Sequence, residues 1–92
     1  MKILILNCGS SSIKYKMFDM DTKELIGQGG VEKIGSQDSF LKMKSAKTGE
    51  NVVICRTITE HTAGIDLIMS ALVSKEHGCI KSLNEIDAVG HR

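Results

Sequence analysis

The chain has 92 residues, with 12 Lys and Arg against 11 Asp and Glu and a formal net charge of +1. That balance is unlike the basic charge of a nucleic-acid module or a polybasic membrane anchor, so neither partner is expected. A hydrophobic share of 41%, with no Trp, one Tyr and two Phe, fits a single domain with an aliphatic core, and no apolar run approaches the ~20 residues of a membrane helix.

Lys2 to Asn7 reads as the first strand. Leu4 and Leu6 point one way, Ile3 and Ile5 the other, which predicts a central strand covered on both faces. Ile3-Leu4-Ile5-Leu6 is too short for the core of a signal peptide. Cys8-Gly9-Ser10-Ser11 is a small-residue turn. Ser12 to Asp19 reads as a second strand, with Ile13, Tyr15 and Met17 apolar and Ser12, Lys14 and Lys16 on the opposite face. Asp19 to Lys23 has the polarity of a hairpin loop. Glu24 to Ile34 is a third strand, where Gly27, Gly29 and Gly30 mark a bulge or a close backbone approach.

Residues 35–51 are harder to read. Ser36 to Ser39 is loop-like, and Lys42, Lys44 and Lys47 read as a solvated face, with a phosphate-binding role as the lesser alternative. Asn51 to Thr57 is a further strand. Thr59 to His77 is predicted as a helix, with Ala63, Leu67 and Ala71 beside Ile65, Ile68 and Leu72 on one stripe. Thr59 or Thr62 is the expected cap. Gly78 is the expected left-handed stop, with Lys75 and His77 at the negative end of the dipole. Ile86 to His91 starts a last strand. The strand–helix–strand order predicts a mixed α/β layout, with the strands at 52–57 and 86–91 parallel in one sheet.

The three cysteines, Cys8, Cys55 and Cys79, are widely spaced and form no CxxC. They read as small half-buried thiols, kept reduced in a cytoplasm. His61 and His77 are expected at the surface, at the two ends of the helix. His91 is expected to pack or to support its neighbour.

The segment that carries chemistry is Asn7-Cys8-Gly9-Ser10-Ser11-Ser12-Ile13-Lys14. It joins two strands, so it is neither a P-loop nor a GxGxxG turn. Gly9 admits close backbone approach, and successive turn N–H groups can form an anion-binding concavity. Ser10 and Ser12 add hydroxyls, Lys14 adds a charge, and the Asn7 amide oxygen can meet a hydrated cation. A tight serine-rich hairpin with a solvent-facing lysine explains the same residues without a ligand.

This segment, extended to Tyr15 and preceded by an aliphatic strand, resembles the opening of the acetate kinase family. Gly78 to Arg92, ending Ile86-Asp87-Ala88-Val89-Gly90-His91-Arg92, resembles the family's approach to its GHRVVHGG motif. Val31 to Gly35 and His61 to Gly64 follow in familiar order. The resemblance implies a ribonuclease-H-like mixed α/β sheet of the acetate and sugar kinase, Hsp70 and actin type. Residues 1–92 would be the first part of the N-terminal domain, with the second domain absent.

It further implies that Asn7 helps hold Mg²⁺, that Lys14, Ser10 and Ser12 face ATP, and that Arg92 binds acetate or acetyl phosphate. No catalytic residue proper falls within the chain. Family members are several times longer and homodimers are expected, so the chain reads as a fragment, inactive by itself, of a cytoplasmic ATP-dependent acetate kinase. A butyrate or branched-chain acid kinase shares the fold. An actin- or chaperone-like nucleotide module is disfavoured because such modules usually place Asp where this chain has Asn7.

Overall fold

The computed structural model describes residues 1–45 and 48–91, so the expectations for Lys47 and Arg92 lie outside the described residues. The elements are β1 (Lys2–Cys8), β2 (Ile13–Asp19), β3 (Glu24–Glu32), β4 (Phe40–Lys44), β5 (Asn51–Cys55), α1 (His61–Leu72), a 3-10 turn (Leu83–Glu85) and β6 (Ile86–His91). They form one mixed sheet in the order β5-β4-β3-β2-β1-β6. Strands β1 to β5 are an antiparallel meander, and β6 lies parallel to β1. This is the mixed α/β sheet expected from the sequence.

Alternation along the strands explains the core. Leu4, Leu6, Ile13, Tyr15, Met17, Val31, Leu41 and Met43 all face one side and are buried there. Ile68, Ala71 and Leu72 of α1 complete that side. Each fully buried Leu or Ile contributes about 1.5–3 kcal/mol relative to exposure. The first strand was expected to be covered on both faces. Instead Leu4 and Leu6 are buried while Ile3 and Ile5 are half-buried, because α1 covers only one face among the described residues.

Strands β5 and β6 run in the same direction, as predicted, but at opposite edges of the sheet. The meander occupies one side of β1, so the crossover through α1 delivers β6 to the free side. Strand β4 is not expected as a strand from the sequence, where its lysines stand out as a solvated face. Lys42 and Lys44 are exposed, but Leu41 and Met43 alternate with them and are buried. The glycines of β3 serve both expected purposes. The register shifts between Met17 and Phe18, so that Ile26 is bulged, and backbone or side-chain atoms crowd Gly27, Gly29 and Gly30.

The helix is shorter than predicted. Glu60 holds the N-cap position without a side-chain hydrogen bond, so neither Thr59 nor Thr62 caps it. It ends at Leu72, leaving no basic residue in its last turn, and Lys75 and His77 lie beyond it. Ser74 is the physical reason: its Oγ accepts from the N–H groups of Glu76 (3.3 Å) and His77 (3.4 Å), which competes with helix continuation. Gly78 is not a left-handed stop. A Cβ there would lie 2.5 Å from the Leu72 carbonyl oxygen and 2.6 Å from that of Ser74, so close approach fixes this residue.

Of the cysteines, only Cys79 is half-buried, its sulfur against Gly27, while Cys8 and Cys55 are exposed; all three are free thiols. No described helix is long and apolar enough to cross a membrane.

A polar clasp closes β6 onto β1. Ser82 caps the 3-10 turn by accepting from the Asn84 N–H. The Glu85 carboxylate accepts from the Lys2 ammonium at 2.9 Å and from the N–H groups of Lys81 (2.6 Å) and Ser82 (3.1 Å). Lys2 first, then those two amides, hold the Glu85 pKa down from 4.5 to about 2. A depressed carboxylate stabilises the fold fully above its unfolded value of 4.5, and that contribution is lost as pH falls toward about 2. Glu85→Gln should therefore lower the melting temperature near neutrality, with the gap to the parent closing in acid. Thermal melting across that range checks this, and a pH-independent gap would refute it.

Candidate phosphate-binding turn and open sheet face

The β1–β2 hairpin builds the site from its register. Asn7 stands directly opposite Lys14, and Ile5 opposite Lys16. Both pairs lie on the face away from α1, because Leu4, Leu6, Ile13 and Tyr15 occupy the other. The row through Asn7 and Lys14 continues across the sheet through Gly30 to Lys42. A shallow groove lies over this face, and Asn7, Lys14 and Lys42 line it.

The turn itself is held at three backbone points. The Gly9 N–H donates to the Ser12 carbonyl at 2.8 Å. The Ile34 N–H donates to the Ser11 carbonyl at 2.9 Å. The Gly9 carbonyl accepts from His61 Nε2 at 2.8 Å. A Cβ on Gly9 would stand 2.9 Å from Ser12 Oγ, so a side chain there would turn the Ser12 hydroxyl aside. Strand β2 begins at Ile13, one residue later than predicted, so Ser12 belongs to the turn and its hydroxyl lies over Gly9. Ser10 is exposed and Ser12 half-buried.

Asn7, Ser10, Ser12 and Lys14 make no side-chain hydrogen bond or ion pair among the described residues. Two lysines differ. Lys2 pairs with Glu85 at 2.9 Å, and Lys42 with Glu32 at 3.7 Å. The structure thus brings Asn7, Lys14 and the serine turn together at the end of β1. Arg92 is outside the described residues, but β6 reaches the same edge, with His91 beside Leu6.

The sequence does not place two further residues at this site. Lys42, for which a phosphate role is the lesser expectation, joins the Asn7–Lys14 row, as the alternation of Leu41 and Met43 around it signals. His61 contacts the turn from a distance of 52 residues in sequence, and no local pattern signals that. His61 and His77 were both expected at the surface, and both are half-buried. His77 Nδ1 meets Ser45 Oγ at 3.2 Å, which accounts for its burial away from the helix end. His91, expected to pack or to support its neighbour, is exposed.

The central strand order β3-β2-β1-β6, with the serine turn at the carboxyl edge, defines the class: a ribonuclease-H-like α/β fold of the acetate and sugar kinase type. The chain belongs to the acetokinase family, whose sequence profile matches residues 2–92. It is 61% identical over 92 residues to an acetate kinase of Bacteroides fragilis and 63% identical to that of Phocaeicola vulgatus. All of this chain is covered in both cases, but it spans only 23% of each relative's length. The crystal structure of Porphyromonas gingivalis acetate kinase superposes with a TM-score of 0.93 at 52% identity, covering 99% of this chain and 23% of that one. A propionate kinase from Francisella tularensis superposes with a TM-score of 0.80 at 27% identity, covering 99% and 22%.

Proposed function

We propose that the full-length protein carrying this chain is a cytoplasmic, homodimeric acetate kinase. It transfers the γ-phosphoryl group of ATP reversibly to acetate, giving acetyl phosphate and ADP. Residues 1–92 form the first part of its N-terminal domain, and by themselves they are inactive. The observation that carries this reading is the Asn7–Lys14 cross-strand pair beside the Gly9–Ser12 turn, with every polar side-chain end free for a ligand among the described residues.

Such chemistry is mostly positioning and charge stabilisation. Lys14 brings positive charge to the phosphates, and the turn brings the hydroxyls of Ser10 and Ser12. Asn7 offers one neutral, exposed amide oxygen, and no group of three His, Cys, Asp or Glu gathers among the described residues. That donor set fits Mg²⁺ carried largely by phosphates and water, with Asn7 as a supporting oxygen, and does not fit an all-protein cage. When bound, the ion neutralises phosphate charge. Arg92, on the family resemblance, grips the substrate carboxylate through its planar fork, which a lysine cannot reproduce.

The test is hydroxamate trapping with full-length protein, Mg·ATP and acetate. Acetyl hydroxamate should form, and full-length Arg92→Lys should raise the KM for acetate about tenfold or more while the KM for ATP changes little. A protein inert with every short carboxylate would overturn the reading. A strong preference for propionate or butyrate would move it to a longer-chain acid kinase.

A further inference from the structure

We propose that His61 is a positioning residue for the phosphate-facing turn: it sets the direction of the Ser10 backbone N–H through the Gly9 carbonyl. This rests on the kinase reading above, since it assigns the turn a phosphate to receive.

The geometry runs from the peptide outward. His61 is the first residue of α1, and its Nε2 lies 2.8 Å from the Gly9 oxygen. A carbonyl oxygen only accepts, so Nε2 must carry the proton. Gly9 C=O and Ser10 N–H belong to one planar trans peptide and point in opposite directions. Drawing the carbonyl toward α1 therefore turns the Ser10 N–H away from α1.

The other anchors do not supply this constraint. The Gly9 N–H to Ser12 bond fixes the Cys8–Gly9 peptide before it, and the Ile34 N–H to Ser11 bond fixes the Ser11–Ser12 peptide, two links further on. The Gly9–Ser10 peptide is left to rotate, and glycine resists that rotation least of all residues. His61 is its one side-chain anchor among the described residues. The Ser10 N–H has no protein partner among them, as a ligand-facing donor requires. Gly9 and Ser10 are exposed while His61 is half-buried, so the ring holds the turn from the protein side and leaves the other side open.

The same ring also anchors the start of α1. No side chain caps that helix, and its first turn holds no acid. The entry of α1 is tied to the sheet through His61 and Gly9, so the bond joins the helix-bearing side of the molecule to the turn.

The experiment uses the full-length protein and two variants. In His61→Gln the amide Nε2 can occupy the place of the imidazole Nε2 and donate to the Gly9 oxygen. His61→Leu keeps bulk and loses the donor. His61→Leu should raise the KM for ATP about five- to tenfold, the worth of one hydrogen bond. The KM for acetate should change less than twofold, and His61→Gln should restore the ATP value to within about threefold of the parent. A merely structural role would lower both variants' melting temperatures and leave the two KM values moving together. Equal ATP kinetics in His61→Leu and parent would overturn the proposal, as would equal impairment in Gln and Leu.

Nitrogen-15 spectra of the histidine rings give a readout free of activity. His61 should be in the Nε2–H tautomer, and its loss in His61→Leu should shift the Ser10 amide resonance. An Nδ1–H tautomer would overturn the proposal even in an active enzyme. A parent that makes no acyl phosphate yet shows the Nε2–H tautomer and the Ser10 shift would overturn the kinase reading alone.

Discussion

Replacing Lys14 by Ala in the full-length protein should lower kcat/KM for ATP roughly 10- to 150-fold, the equivalent of about 1.5–3 kcal/mol for a charge-assisted bond. The size follows from what surrounds the side chain. Lys14 is exposed on the open face, opposite Asn7 on one side and Gly30 on the other, and neither carries charge. Unlike Lys2 and Lys42, it has no carboxylate partner among the described residues. Nothing in the protein has to be broken for it to meet a phosphate, so its full charge is available. Its removal leaves no buried group unsatisfied, and the fold should be unaffected. Steady-state kinetics with ATP and acetate varied separately, beside a melting curve, check this. Unchanged kinetics would return Lys14 to the role of a solvated strand residue.

The hairpin that holds this site was legible because its register is a local property. A four-residue turn between Cys8 and Ile13 sets the pairing of Asn7 with Lys14, and alternation sets the face. The same reasoning placed Glu24, Asn51 and Ile86 at strand starts, as observed. It failed where a local signal competed with another. Lys42 and Lys44 masked the alternation that makes Phe40 to Lys44 a strand. The helical stripe points on toward His77, and Ser74 ends the helix sooner by competing for backbone N–H groups. Contacts made only by the assembled fold were invisible. Gly9 and His61 meet because the end of β1 and the start of α1 converge, and nothing in either segment specifies the other. The half exposure of Ile3 and Ile5 belongs to the same category, since coverage of a sheet face is decided by distant chain.

Gly29→Val is expected to destabilise the fold by about 3 kcal/mol, the upper part of the range for overpacking. Local preference points the other way. Valine suits strands better than glycine, on a scale that spans about 1 kcal/mol, and it costs less backbone entropy. Packing decides the sign. Gly29 lies between Tyr15 of β2 and Met43 of β4 in the sheet register. A Cβ there would run into the Lys42 carbonyl oxygen, and would come within 2.8 Å of the Tyr15 ring and 2.9 Å of the Met43 Cα. Two of these three obstacles are backbone, which cannot rotate aside as a side-chain tip can. Tyr15 is 2% exposed, so its ring has little room to retreat. Relief then requires β4 to move away from β3, and that carries Lys42 away from the Lys14 row. Gln28→Val on the adjacent, outward-facing position is the control, expected within about 0.5 kcal/mol of the parent. Urea unfolding of both variants measures the difference. A Gly29→Val protein as stable as the Gln28→Val control would show that β3 and β4 approach less closely than the structure places them.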